Sequence, residues 1–304
     1  MKSPTKAPRN RTITISDEDR EILSSELRSD CSILEGVVKG DSFELSKKLP
    51  TKCVDLLVLD PPYNLTKTFG KESFSSRSPE KYQCWIESYL KIIMPALKPT
   101  ASIYVCGDWL SSASLFPALD KYFKVRNRIT WEREKGRGSK TNWKNCSEDI
   151  WYCTMGDEFK FYPERVRLRR KVLAPYKDSE GKPKDWVNKA GKKYRDTAPS
   201  NLWSDITIPF WSMPENTNHP TQKPEKLIAK LILSSSDEKV FISCFISKNL
   251  IAERNLNASN IIKQLAPIID GSGGGQPFFA TGGGKNINAI DKALTESEKI
   301  INQL

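Results

Sequence analysis

The sharpest chemical signal in the chain is Asp60-Pro61-Pro62-Tyr63, which follows directly on the apolar run from Val54 to Leu59 and is itself followed by Asn64. An exocyclic amine on a nucleobase is a poor nucleophile because its lone pair is delocalised into the ring. A carboxylate and a backbone carbonyl that accept its two amino hydrogens would draw that lone pair out, and paired prolines hold such a backbone rigidly exposed. Asp60 and the Pro61 carbonyl suit those roles, Pro62 stiffens the turn, and Tyr63 can stack on a base taken out of a duplex. A strand-ending turn with no chemistry is the competing account of the same tetrapeptide. A second polar cluster opens at the only histidine, in His219-Pro220-Thr221-Gln222-Lys223-Pro224. Taken alone, that histidine is better explained as a cap or a satisfied core residue.

Other chemistries find little support. The seven cysteines are scattered, form no C-x-x-C pair, and none follows a proline. That argues against a disulfide framework, a structural zinc site and a nucleophilic Pro-Cys. One histidine also makes a multi-histidine metal centre unexpected, so no metal is assigned. The longest apolar runs, such as Leu227 to Leu233, are far too short to span a bilayer, and the N-terminus lacks a secretion signal. A cytoplasmic protein without membrane contact is the expectation.

The charge points to a polyanionic partner. The formal net charge is +11 and the pI near 9.2, which by themselves speak only to non-specific attraction. The distribution is more telling. Between Lys124 and Lys144 lie eight Lys/Arg against two Glu, with Trp131 and Trp143 among them, a mixture suited to phosphate contact with stacking. Arg133, Lys135, Arg137, Lys140 and Lys144 are the candidates there. Arg165, Arg167, Arg169, Arg170 and Lys171 form a second cluster. Double-stranded DNA is the partner these clusters suggest, and a solvated basic face is the alternative for either.

The elements that must position these residues read as alternating strands and helices. With 304 residues and 38% hydrophobic content, one sizeable core and a second small domain are affordable. Residues 1–12, basic and with two prolines, are expected to be a disordered arm, with order beginning near Ile13. Ile33 to Val38 and Val54 to Leu59 read as strands, the second buried and ending at Asp60, with Asp60 and Tyr63 expected on a central parallel strand facing a cleft. Ser78 caps, and Pro79 opens, a helix whose apolar residues recur from Tyr82 to Leu97 before Lys98-Pro99 stops it. Ser102 to Cys106, Val125 to Trp131 and Ile150 to Cys153 read as further strands joined by loops, and the alternation predicts an α/β sheet. Residues from about 155 to 218 turn polar and aperiodic, as in a loop-rich insert, before a short helix from Pro224 to Leu233. Beyond Ser236 the expectation is a strand over 240–246, a helix over 257–269, a Gly-rich hairpin over 271–284 and a terminal helix from Ala289.

Gly40-Asp41, Asp60-Pro61-Pro62-Tyr63, the polar insert, Asn201-Leu202-Trp203 and the His219 to Pro224 hexapeptide occur in the order typical of beta-class DNA amino-methyltransferases. Residues from about 30 to 236 resemble the greater part of such an enzyme. The resemblance implies a permuted Rossmann-like sheet over residues 13–238, S-adenosylmethionine as methyl donor, and an insert that selects the DNA sequence. It makes Asp60, Pro61, Pro62 and Tyr63 the catalytic residues, and Asp41, Asp60, His219, Thr221, Lys223 and Pro224 the cofactor contacts. Within the family, Asp rather than Ser before Pro-Pro favours adenine N6 over cytosine N4.

The resemblance stops after the Pro224 helix. A strand ending in Asp-Pro-Phe-x-Gly-x-Gly is expected next, its glycines letting backbone approach the cofactor. The chain instead reads Lys239-Val240-Phe241-Ile242-Ser243-Cys244-Phe245. Residues 239–304 resemble a different protein, the C-terminal domain of a bacterial alanyl-tRNA synthetase, through Gly273-Gly274-Gly275-Gln276-Pro277-Phe278-Phe279-Ala280 and Gly282-Gly283-Gly284-Lys285. A small α/β segment with some tRNA contact is what that implies. A flexible pair of turns is the plain alternative for the glycines. The absent segment would supply strands of the sheet and one side of the cofactor pocket, so an incomplete sheet is expected.

Overall fold

The computed structural model describes residues 7–27, 37–69, 72–133, 140–217, 219, 221–236, 240–245, 256–277, 279–284, 286 and 289–302. It divides into two units, Met1–Ser236 and Asp237–Leu304. The expected strand over Ile33 to Val38 lies almost wholly outside the described residues.

In the first unit, strand β1 (Val54–Leu59) lies parallel to β4 (Leu97–Gly107), with Leu59 opposite Val105. Between them run a short antiparallel hairpin, β2 (Lys67–Phe69) and β3 (Glu72–Phe74), and helix α3 (Pro79–Ile93). The Ser78 hydroxyl accepts from the Lys81 N–H and Pro79 occupies the first turn, which is why this helix starts where it does. It ends earlier than expected. A 3-10 turn over Met94–Ala96 follows, and Lys98-Pro99 already belongs to β4, whose edge pairing there is irregular enough to admit a proline.

Strand β6 (Ser147–Thr154) pairs antiparallel with both β4 and β5 (Lys124–Glu132), and β10 (Leu202–Trp203) adds parallel to β5. The sheet order is β1-β4-β6-β5-β10. Alternation along β4 sends Ile103 and Val105 to one face and Tyr104 and Cys106 to the other. The first face packs on α3 and on α4 (Trp109–Asp120) through Ile86, Leu90, Leu115 and Leu119, all buried. The second packs on α5 (Glu225–Ser235) through Trp131, Trp203, Leu227 and Leu231. The result is a three-layer α/β arrangement.

Several expectations change. β1 is an edge strand of the described sheet and half-buried throughout, not central and buried, because it has a partner on one side only. Trp131, expected among the DNA-facing residues, is a core residue whose indole N–H donates to the Ile206 carbonyl at 2.7 Å. α4 replaces an expected loop, and the polar insert contains a three-stranded antiparallel sheet of β7 (Leu168–Lys171), β9 (Lys192–Thr197) and β8 (Val187–Lys189). The Arg11 and Ile13 N–H groups bond the Trp211 and Asn216 carbonyls, so the end of the expected arm is tied down. Two short elements precede β1: α1 (Asp17–Glu26), closed by a Ser16/Asp19 capping box, and α2 (Ser42–Ser46).

The second unit is a three-stranded antiparallel sheet, β11 (Val240–Phe245), β13 (Phe279–Gly284) and β12 (Gly271–Gly275), in the order β11-β13-β12. Helix α6 (Ala258–Leu265) lies on it, with Asn257 accepting from the Ser259 and Asn260 N–H groups, and α7 (Ile290–Asn302) follows. The glycines are paired strand residues, not flexible turns. A Cβ on Gly284 would stand 2.1 Å from the Ile269 carbonyl oxygen, so only glycine lets this strand approach the turn after α6.

Candidate functional site

The turn after β1 is held from three directions. Tyr82 of α3 donates its hydroxyl to the Pro62 carbonyl at 3.0 Å. Burial keeps that phenol protonated, pushed up to about 12. Asn64 is buried, its N–H bonded to the Ser111 hydroxyl of α4 at 2.9 Å. Its side-chain amide makes two bonds to Arg77: the Arg77 N–H donates to Oδ1 at 2.7 Å, and Nδ2 donates to the Arg77 carbonyl at 2.9 Å. The turn that presents Asp60 is therefore rigid, with Pro61 buried and Pro62 exposed.

Asp60 stands at the carboxyl end of β1 with its side chain 39% exposed. The Lys223 ammonium donates to both its oxygens at 2.9 Å and to the Tyr63 hydroxyl at 3.1 Å. The Tyr63 hydroxyl in turn lies 3.3 Å from Asp60 Oδ1 and 3.0 Å from Glu148 Oε2. Glu148, in β6, is 5% exposed; it lies 3.4 Å from Lys223 and pairs with Arg133 through its other oxygen. Two carboxylates and one cation thus contact one phenol, with Arg133 on the far oxygen of Glu148. Burial, then the charges of Glu148 and Asp60, push the Tyr63 phenol far above its ordinary value, so it stays a donor. Burial opposes the Lys223 charge, but Glu148 and Asp60 outweigh it and the ammonium is held above its ordinary value. Cys106, also nearby, is pushed up to about 12 by burial and by Asp60, and so remains a thiol rather than a nucleophile.

Two cavities adjoin this cluster. One, of about 280 Å³, is walled by Pro62, Tyr63, Asn64, Arg77, Tyr82 and Trp85. The other, of about 30 Å³, is lined by Arg133, Glu148, Thr217, His219, Thr221 and Lys223.

The structure brings Asp60, Tyr63 and Lys223 together across a wide sequence separation, and it adds Glu148 and Arg133. The sequence marks Arg133 as a DNA contact and does not single out Glu148. The one available signal for Glu148 was a charged residue beside the apolar strand Ile150 to Cys153. The other expected cofactor residues have local partners. Asp41 caps α2, accepting from the Phe43 N–H at 2.8 Å. His219 Nδ1 lies 3.4 Å from both the N–H and the hydroxyl of Thr221. Pro224 is the N-cap of α5 without a side-chain bond.

The basic clusters are mixed. Arg169 forms a bidentate pair with Asp196, at 2.8 and 2.7 Å. Arg165 lies over the Tyr162 ring at 3.6 Å and donates to the Ser236 carbonyl. Arg170 donates to the Ser200 hydroxyl at 2.9 Å while remaining exposed. Lys140, Lys144, Arg167 and Lys171 are exposed, as is Trp143 at 94%. Lys135 and Arg137 lie outside the described residues. Among the described residues no group of His, Cys, Asp and Glu could hold a metal, and no helix is long and apolar enough to cross a membrane.

Comparison with known proteins matches residues 54–243 to a DNA methylase family model, and residues 216–303 to a DHHA1 domain model. The type II methyltransferase M.BglII of Bacillus subtilis is 28% identical over 239 residues, covering 74% of this chain and 63% of that protein. The chain therefore spans under two thirds of that relative. The DNA adenine methyltransferase YhdJ of Escherichia coli is 26% identical over 212 residues, covering 66% of this chain and 67% of its own length. The C-terminal segment is similar to alanine–tRNA ligase of Christiangramia forsetii, 49% identical over 63 residues that make up 21% of this chain and 7% of the ligase.

Proposed function

The chain belongs to the N6/N4 DNA methylase family, and from that premise we propose that its Asp60 site receives the exocyclic amine of adenine in double-stranded DNA. The observation that supports this most is the convergence of Asp60, Tyr63 and Lys223 at the carboxyl end of β1, on a turn that α3 and α4 hold rigid. Asp60 accepts one amino hydrogen and the Pro61 carbonyl the other, which redirects the nitrogen lone pair away from the ring. The Tyr63 ring borders a cavity of about 280 Å³, ample for a base extruded from the helix, and supplies a stacking face. Adenine N6 rather than cytosine N4 is the target favoured by Asp before Pro-Pro.

Members of this family take their methyl group from S-adenosylmethionine, and the described residues do not complete a site for it. The Asp41 carboxylate is engaged as a helix cap and His219 bonds within its own turn. The outer edge of β1 has no strand beside it among the described residues. Gly40, Gly107 and Gly156 face Leu45, Leu115 and Pro99, so none of the three offers the close backbone approach of a cofactor turn. The chain is thus read as the amine-presenting and DNA-binding side of an amino-methyltransferase, with no methyl-transfer step assigned to it as it stands.

Two measurements test this. Calorimetric titration is expected to show DNA binding but weak or no heat with S-adenosylmethionine, and labelled methyl transfer into duplex DNA should be negligible. Replacing residues 239–304 by a segment carrying Asp-Pro-Phe-x-Gly-x-Gly and its following strands should restore transfer that Asp60→Asn abolishes. Robust methylation by the chain itself, or a restored activity indifferent to Asp60, would overturn the proposal.

A further inference from the structure

Glu148 is a buried carboxylate at the site that amine recognition itself does not require. Its side chain is 5% exposed, yet it contacts the Tyr63 hydroxyl at 3.0 Å, Lys223 at 3.4 Å and Arg133. Lys223, itself 11% exposed, is shared between this carboxylate and Asp60, whose two oxygens it meets at 2.9 Å each. A carboxylate bonded through both oxygens to an ammonium is a weakened acceptor for a neutral amine. The ammonium cannot simply leave, because a buried charge deprived of its partner is costly.

Building on the assignment of Asp60 as the amine acceptor, we propose that Glu148 is a positioning residue. It provides Lys223 with a second seat and fixes the Tyr63 hydroxyl, so that the ammonium shifts from Asp60 toward Glu148 when an amino group docks. Arg133 remains on the other oxygen of Glu148 and holds that carboxylate in place during the shift. The Tyr63 hydroxyl, within hydrogen-bonding distance of Lys223, Glu148 and Asp60, keeps the ring aligned as the ammonium moves. Loss of the Glu148 charge would leave Lys223 bound wholly to Asp60, and the site would lose its preference for an amine.

The test reads that preference directly, as the affinity ratio of 2′-deoxyadenosine 5′-monophosphate to deoxynebularine 5′-monophosphate, the same purine nucleotide without the amine. The full-length chain is expected to favour the adenine nucleotide by about tenfold, the discrimination a site with a dedicated hydrogen-bond acceptor can readily supply. Glu148→Gln, which keeps the shape, should bring the ratio close to one. The double variant Glu148→Gln/Lys223→Met should recover most of it, because the competing ammonium is gone. Tyr63→Phe, which loses the hydroxyl but keeps the ring, should lower the ratio partway and serves if Glu148→Gln fails to fold. A purely structural Glu148 would leave the double variant no better than the single one, and that result, or a normal ratio in Glu148→Gln, overturns the proposal. A wild-type ratio of one, unchanged by Asp60→Ala, would instead overturn the Asp60 assignment and take this inference with it.

Discussion

Cys106 and Lys223 show how single side chains near Asp60 are tuned by burial and by charge in opposite ways. Cys106 and Cys153 are fully buried, and both thiols are pushed up to about 12, chiefly by burial. Cys84 and Cys146 are exposed. A thiol reagent near neutral pH should therefore label Cys84 and Cys146 in the native protein and reach Cys106 and Cys153 only on unfolding, as peptide mapping would show. Lys223 behaves differently, since two carboxylates outweigh its burial and raise its folded value above 10.5. A cation with a raised folded value contributes stability that is fully present below its unfolded value and lost as pH rises through the folded one. Lys223→Met should cost about 2–3 kcal/mol, less than a wholly unpaired buried carboxylate because Arg133 stays on Glu148. In thermal or denaturant unfolding that deficit should be constant across neutral pH and shrink only above 10.5.

Among the elements, α4 and α5 clamp the sheet from opposite faces, and α4 also reaches the turn after β1. Leu231 of α5 is 1% exposed against β4, β5 and β6 residues. Leu231→Ala should lower unfolding free energy by about 2–5 kcal/mol, the usual span for emptying a core site, measured by the denaturant midpoint at constant slope. Asn64 tests the turn itself. Asn64→Ala removes both bonds to Arg77 and should cost about 1 kcal/mol, since the Arg77 backbone is exposed enough to turn to water. It should also open the Tyr63 cavity, seen as faster amide exchange around residues 75–77. α4 is not legible in the sequence because its serines are buried while Trp109, Leu110 and Phe116 are exposed, which erases the usual polar periodicity, and its serines and Pro117 resemble loop composition. The insert's sheet is not legible for a different reason, since β7 and β9 are short, charged and mostly exposed.

For the whole molecule, a net charge of +11 favours non-specific attraction to polyanions but does not say where phosphates would bind. Arg169 is held by Asp196 and Arg133 by Glu148, so phosphate contact is expected instead from exposed Lys140, Lys144, Arg167 and Lys171. Binding should weaken steeply with salt. Arg167→Ala should reduce the slope of log affinity against log salt by about 0.9, one phosphate's worth, whereas Arg169→Ala should leave it nearly unchanged. Fluorescence anisotropy over a salt series decides this, and equal effects of the two variants would contradict the assignment.

By itself, the sequence determined the local features whose causes are local. The Ser78-Pro79 helix start, the strand ending at Asp60, the apolar face of α5 and the strand, helix and glycine hairpin after Ser236 follow from caps, periodicity and proline or glycine stereochemistry. The family was legible too, because its motifs are short and ordered along the chain. Only the tertiary structure decided which residues share the site. Glu148 and Arg133 come to Asp60 through β5 and β6, and Lys223 through the turn before α5, contacts set by sheet order and not by spacing. The structure alone also placed β1 at the edge of the described sheet and Trp131 in the core, since lateral neighbours and burial depend on what packs alongside. A strand's own residues record its alternation, but not whether another strand lies beyond it.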